Sequence, residues 1–166
     1  MQLIEGGFAA AEAEFELRIV AVPEGPAMTP ADAASAIGSI RVGVEVAGSP
    51  YAEINAHGPA VTVSDFGNNL GLVLGPEIHV DAGNAFEWTV SSFVNHEEVG
   101  SGVAATPAGG PFEAAHFLFQ LAARHGLPVE PGQWISTGAI TGGHQVAPAD
   151  QFEARFGEGA TVRCRF

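Results

Sequence analysis

From Ala11 to Ala21 the chain alternates without a break. Ala11, Ala13, Phe15, Leu17, Ile19 and Ala21 are apolar, and Glu12, Glu14, Glu16 and Arg18 stand between them. Ala, Glu and Leu are good helix formers, so propensity alone favours a helix. The period of two overrides it, because successive alternations fit a strand and not the i, i+3, i+4 spacing of a helix. Residues 11–21 are therefore predicted as a strand with one apolar face and one charged face. Residues 40–47 repeat the pattern, with Ile40, Val42, Val44 and Val46 on one face and Arg41, Gly43 and Glu45 on the other.

The segments around these strands are marked by their turn and cap residues. Pro23-Glu24-Gly25-Pro26 ends the first strand. Thr29 as N-cap, Pro30 at N1 and Asp32 in the first turn start a short helix over 31–37, closed by Gly38-Ser39. Residues 48–69 read as irregular and polar, ending in Asp65-Phe66-Gly67-Asn68-Asn69; a loop of that length is uncommon unless functional. Leu70 to Leu74 reads as a short buried strand stopped by Gly75-Pro76. Phe86 to Val94 is another strand, returning through the tip Asn95-His96-Glu97-Glu98 to Val99–Val103.

Pro111 opens the long helix, 111–125, with Gly126 at C′. Its predicted apolar stripe is Ala114, Ala115, Phe117, Leu118, Leu121 and Ala122; Glu113, His116, Gln120 and Arg124 are expected in water. Trp134-Ile135-Ser136 reads as a strand entering the glycine-rich run 137–143. The chain closes on a hairpin in which Phe152, Ala154 and Phe156 lead through Gly157-Glu158-Gly159 to residues 160–166. No repeat and no linker interrupts this order, so the expectation is one domain over 1–166, mainly β (α+β), with one long and one short helix.

Charge narrows the function classes. The formal net charge is −13, with six arginines and no lysine, which argues against a nucleic-acid surface and is compatible with divalent cations. A single cysteine, Cys164, forms no internal disulfide and reads as a small core residue in a reducing compartment. No apolar run reaches membrane-spanning length and no secretory leader pattern opens the chain, so the reading is cytoplasmic.

The six histidines are scattered with no H-x-H or H-x-x-x-H pair, and neither a G-x-S-x-G elbow nor a P-loop is present. What remains is Glu12, Glu14 and Glu45. Carboxylates at i and i+2 of a strand can bind one hard cation or raise each other's pKa, or simply form a solvated outer face. All-oxygen ligation of this kind suits Mg²⁺ or Mn²⁺. Glu16 shares the face but is expected to stay outside the ligand set. Asp65 is a candidate catalytic group, set against an Asx-turn role that organises its loop.

The order of these features resembles the 2-keto-4-pentenoate hydratase and 4-oxalocrotonate decarboxylase branch of the fumarylacetoacetate hydrolase superfamily, over residues 8–166. The resemblance is carried by the E-x-E strand, the Val44-Glu45-Val46 strand, Ser64-Asp65-Phe66-Gly67-Asn68-Asn69 leading to Leu72-Val73-Leu74-Gly75, the Pro111 helix, Pro131-Gly132-Gln133-Trp134-Ile135-Ser136-Thr137-Gly138 and Pro148-Ala149-Asp150. It implies a mixed β-roll or sandwich in which Glu12, Glu14 and Glu45 hold Mg²⁺ or Mn²⁺. It further implies a small 2-oxo acid or 2-hydroxydienoate bound beside the metal, with Thr137, Gly138 and Thr141 gripping the carboxylate. The implied chemistry is that of a lyase, a hydratase or decarboxylase working by enolate stabilisation, in a homo-oligomer or as a partner subunit. Two departures stand out. Relatives carry a region ahead of the E-x-E strand whose lysine is catalytic in the hydratases, whereas this chain has no lysine; and Ala139 and Ala149 stand where a hydroxyl residue and a glycine are usual. A truncated, non-catalytic metal- and oxo-acid-binding relative and an acylpyruvate-type C–C hydrolase are the alternatives.

Overall fold

A computed structural model of the chain describes residues 2–25, 28–79, 87–105 and 109–166. Two antiparallel sheets make the body. Strands β1 (Phe8–Ile19), β2 (Ile37–Ser49) and β3 (Asn69–Ile78) lie side by side in one sheet. The other edge of β1 carries β6 (Trp134–Ser136) and β7 (Gly143–Gln145). The second sheet runs in the order β5 (Glu97–Val103), β4 (Thr89–Val94), β8 (Gln151–Phe156), β9 (Ala160–Arg165).

The alternation in β1 does the work its period implies. Ala11, Ala13 and Phe15 pack with Val42, Val44 and Val46 against Val90, Phe152, Ala154, Phe156 and Val162 of the second sheet. Phe15 meets Phe156 edge-on with ring centroids 5.5 Å apart, a favoured aromatic geometry. Farther along the same face, Leu17 and Ile19 pack on helices α1 (Pro30–Ser35) and α3 (Pro111–His125) through Ala33, Ala115 and Phe119. One strand thus seats two cores. The opposite face of β1 is left to its charged residues.

Several elements differ from expectation. The loop 48–69 holds a third helix, α2 (Pro59–Ser64), between two short 3₁₀ turns. Gly58 at φ 80° and Pro59 at the first helical position start α2 without a side-chain cap, so the polar-cap signal was lacking. Gly75-Pro76 does not end β3, which continues to Ile78 as an edge strand; Pro76 sits at a register shift on that edge, where a missing N–H is tolerated. Nor is β3 buried: its side chains are half-buried and Leu74 is exposed. In α3 the buried residues are Pro111, Ala115, Phe119 and Ala122, while Phe117 is 65% exposed. His116 is not free in water, since its Nε2 lies 3.0 Å from the Met28 carbonyl. Phe86 and Pro26, expected in a strand and a turn, lie outside the described residues.

The tip of the β4–β5 hairpin is Asn95-His96, both at positive φ (50° and 72°), as a two-residue turn between twisted strands demands. The α1 N-terminus carries a full capping box between Thr29 and Asp32. Cys164 is half-buried against the main core, and burial pushes its thiol up to about 11. Among the described residues no helix is long and apolar enough to cross a membrane.

Candidate functional site

The charged face of β1 is not a solvated surface. Glu14 and Glu16 are 1% and 0% exposed. The register explains the crowding: Glu12 stands opposite Glu45, Glu14 opposite Gly43, and Glu16 opposite Arg41. On the other edge of β1, residues 137–142 leave the regular ladder but stay close. The Thr137 and Ile140 amides still donate to the Phe15 and Ala13 carbonyls. Glu14 and Glu16 are therefore enclosed between β2 and this edge segment.

Three of the carboxylates have a donor nearby. The Gly138 amide donates to Glu14 Oε2 at 2.6 Å, the Ser136 hydroxyl to Glu16 Oε2 at 3.0 Å, and the Asn69 side-chain amide to Glu45 Oε1 at 2.8 Å. Two glycines make the room. A Cβ on Gly43 would lie 2.3 Å from Glu16 Cγ, and one on Gly143 would lie 2.7 Å from Glu12 Oε1.

Burial sets the electrostatics. Glu14 is pushed up to about 8, first by desolvation and then by the charges of Glu45 and Glu12, against the pull of the Gly138 amide. Glu16 is pushed up to about 9 by desolvation and by Glu14, against the Ser136 hydrogen bond. Glu12 is also raised, by burial and by Glu45. Glu16 Oε1 is buried with no hydrogen-bond partner among the described residues. A row of acids that resist ionisation because they desolvate and repel one another is the electrostatic counterpart of a cation site. The donor set, all carboxylate oxygen, fits Mg²⁺ or Mn²⁺. Among the described residues no three acids, histidines or cysteines converge closely enough to form a ligand set as they stand. Glu14 and Glu45 are turned to Gly138 and Asn69 instead.

The other sequence candidates are distributed as follows. Gly138, at φ 110°, lies on the acidic row. The Thr137 hydroxyl donates to the Phe15 carbonyl, and the Thr141 hydroxyl lies 2.7 Å from Ser92 Oγ and 3.1 Å from His144 Nε2. Asp65 follows α2; its carbonyl accepts from the Asn68 amide, and its Oδ2 is buried without a hydrogen-bond partner among the described residues. His144, opposite Ala11 on β7, faces the second sheet and stacks on Phe152, and burial lowers its pKa. Asn69, Gly43 and Gly143 were not among the site residues expected from the sequence. Gly43, the one gap in the polar face of a valine-rich strand, was a signal available in the sequence.

No family model and no curated protein matches the chain. Solved structures do. The complex of 4-oxalocrotonate decarboxylase from Pseudomonas putida G7 with magnesium and adipate superposes with a TM-score of 0.85 at 28% identity, over 96% of this chain and 60% of that one. The complex of the same enzyme with calcium and acetate gives 0.84 at 28% identity with the same coverage. A protein from Yersinia pestis CO92 assigned to the fumarylacetoacetate hydrolase family gives 0.69 at 16% identity, over 97% of this chain and 71% of that one. The chain spans 60% of the length of the decarboxylase it matches. Two antiparallel sheets and superposition over nearly the whole chain agree: this chain has the fold of the fumarylacetoacetate hydrolase superfamily.

Proposed function

We propose that Glu12, Glu14 and Glu45 hold Mg²⁺ or Mn²⁺, and that the chain belongs to a lyase of the hydratase or decarboxylase type acting on a small 2-oxo or 2-hydroxydienoate acid. The observation that carries this reading is the facing pair Glu12 and Glu45 with Glu14 beside it, Glu12 and Glu14 being raised by burial and by the Glu45 charge. The fold supports it, being shared with a decarboxylase crystallised with magnesium and adipate. A bound divalent cation supplies Lewis acidity toward the oxygens of a 2-oxo acid. The protein's own part is to hold the carboxylate ligands; the Gly138 amide, which donates to Glu14 Oε2, would be freed for the substrate when Glu14 turns to the cation. A fixed backbone N–H is the kind of donor that receives a substrate carboxylate or a developing oxyanion. Thr137 precedes that amide and Thr141 follows it by three residues; both belong to the same proposed grip, for which their hydroxyls would have to leave the Phe15 carbonyl and Ser92.

The chain contains no lysine to act as general acid or base. Such assistance is worth ~10²–10⁴-fold, so decarboxylation or tautomerisation, which lean on charge stabilisation, are favoured over addition of water. The absence of lysine also supports the second reading, a metal- and oxo-acid-binding chain that turns nothing over. Assembly into a homo-oligomer or with a partner subunit is part of the proposal; Val63 and Phe66, 73% and 90% exposed, support it.

The test is calorimetric titration with Mn²⁺ followed by turnover of oxaloacetate and of 2-hydroxypenta-2,4-dienoate, each with Mn²⁺ and with EDTA. Metal-dependent loss of oxaloacetate, with hydration far slower, is the expected result. A chain that binds no Mn²⁺ refutes the proposal. Binding without turnover of either acid selects the non-catalytic reading.

A further inference from the structure

A register shift places one more polar side chain on the acidic row. Through Val44–Val73, Glu45–Leu72 and Val46–Gly71, β2 and β3 pair in regular antiparallel register. Continued by one step, that register would set Ala47 opposite Leu70 and Gly48 opposite Asn69. Instead Asn69 pairs with Ala47, and Leu70 is the extra residue of a bulge. Side chains alternate between faces along a strand, so this single step decides which face Asn69 joins. Opposite Gly48 it would point toward the second sheet. Opposite Ala47 it joins the face of Glu45, two residues along on β2.

The surrounding backbone is built for that placement. Phe66, Gly67 and Asn68 all have positive φ (52°, 71° and 53°), an uncommon run that delivers the chain to Asn69. Gly48 has no side chain where Leu70 bulges in; a Cβ there would lie 2.8 Å from Leu70 Cδ2. Asn68 Nδ2 reaches Asn55 Oδ1 at 3.5 Å, tying the turn to the loop before α2. The product of these arrangements is the 2.8 Å bond from Asn69 Nδ2 to Glu45 Oε1. The Glu45 oxygen accepts in this bond and the asparagine presents its NH₂.

We propose that Asn69 is a positioning residue: its side-chain amide fixes one oxygen of the Glu45 carboxylate and leaves the other for the cation, so that the site is held from β3 as well as from β1 and β2. This rests on the reading of Glu12, Glu14 and Glu45 as metal ligands. Partners that orient a ligand carboxylate are typically worth ~10–100-fold in metal affinity. The same magnitude is expected here.

The experiment compares Mn²⁺ affinity, by calorimetry, for the wild type, Asn69→Leu, Asn69→Gln and Asn68→Ala, with melting of each in EDTA. Asn69→Leu keeps the size and removes the donor; it should bind Mn²⁺ about 10–100-fold more weakly. Asn69→Gln, which keeps an NH₂, should recover most of the loss, and Asn68→Ala should bind as the wild type does. A merely structural role would lower melting in EDTA and would not be rescued selectively by an amide. Should Asn69→Leu fail to fold, the side-chain NH₂ signal of Asn69 in the wild type, followed by NMR during Mg²⁺ titration, replaces it. That signal should shift with the same midpoint as metal binding. Equal affinity of wild type and Asn69→Leu, or an unmoved NH₂ signal at saturating Mg²⁺, overturns the assignment of Asn69 and leaves the metal reading standing. A wild type that binds no Mn²⁺ overturns both.

Discussion

Glu12 and Glu45 face each other directly across the β1–β2 ladder. Like charges in directly opposed positions destabilise a sheet, and here burial of Glu12 adds to the cost. A dication between them would turn the repulsion into ligation. Glu45→Gln keeps the shape and the acceptor for Asn69 while removing one charge. It should lower Mn²⁺ affinity by more than about 100-fold, beyond what loss of an orienting partner causes. It should also let Glu12 and Glu14 ionise more readily, because the Glu45 charge raises both. Calorimetry of metal binding and carboxyl titration by NMR check the two halves separately; unchanged Mn²⁺ binding would remove Glu45 from the ligand set.

Glu14 and Glu16 make the metal-free protein sensitive to alkali. Their values in the folded chain, about 8 and about 9, lie above the ordinary 4.5, so the folded state holds protons that the unfolded chain has released. Stability from these groups is present below the ordinary carboxylate range and is lost as pH rises through their folded values. Across that window the loss should be on the order of a few kcal/mol. Melting in EDTA should therefore fall by several degrees between about pH 5.5 and about pH 8.5, and Glu16→Gln should flatten the slope. A melting temperature that rises over the same interval would contradict the burial of these acids. Metal binding near neutral pH should release protons from Glu14, seen as an enthalpy that depends on the buffer.

Much of this architecture was legible because it rests on period and caps. The alternation in β1 and β2, the Thr29 and Pro111 helix starts and the two C-terminal strands are local signals, and the structure keeps each of them. What escaped was set by tertiary contact. Nothing local distinguishes a glutamate in water from Glu16, whose burial depends on Gly43 across the ladder and on Ser136 from more than a hundred residues later. The face joined by Asn69 depends on a bulge, and a bulge is a property of a strand pair.

Helix α3 shows the same limit. It is apolar on more than one side, so two stripes were available, one through Phe117 and Leu121 and one through Ala115, Phe119 and Ala122. Contact with Ala33, Leu17 and Ile135 selects the second. Phe119→Ala should cost ~3–5 kcal/mol, as loss of a buried aromatic does. Phe117→Ala should change stability by no more than about 0.5 kcal/mol. Urea unfolding of the two variants decides the matter, and equal costs would mean that Phe117 is covered in solution.

The glycines at the acidic row should separate packing from binding. At Gly43 an added Cβ meets Glu16 Cγ at 2.3 Å, Oε1 at 2.7 Å and Cδ at 2.9 Å. Glu16 is fully buried and cannot swing away, so Gly43→Ala should destabilise the fold by about 1–3 kcal/mol, as overpacking does. Adding Glu16→Ala should return part of that loss, because the two changes share one space. At Gly143 the added Cβ meets only the end of a half-buried side chain, Glu12 Oε1 at 2.7 Å, with Cδ already 3.5 Å away. Glu12 can turn aside at little cost, and Gly143 carries no positive φ to strain. Gly143→Ala should therefore melt close to the wild type and yet bind Mn²⁺ more weakly, since the ligand is displaced and the fold is not. Thermal melting in EDTA beside Mn²⁺ calorimetry for both variants reads the contrast. A Gly143→Ala protein with undiminished metal affinity would place the cation away from Glu12, and the ligand set would have to be sought around Glu14, Glu16 and Glu45.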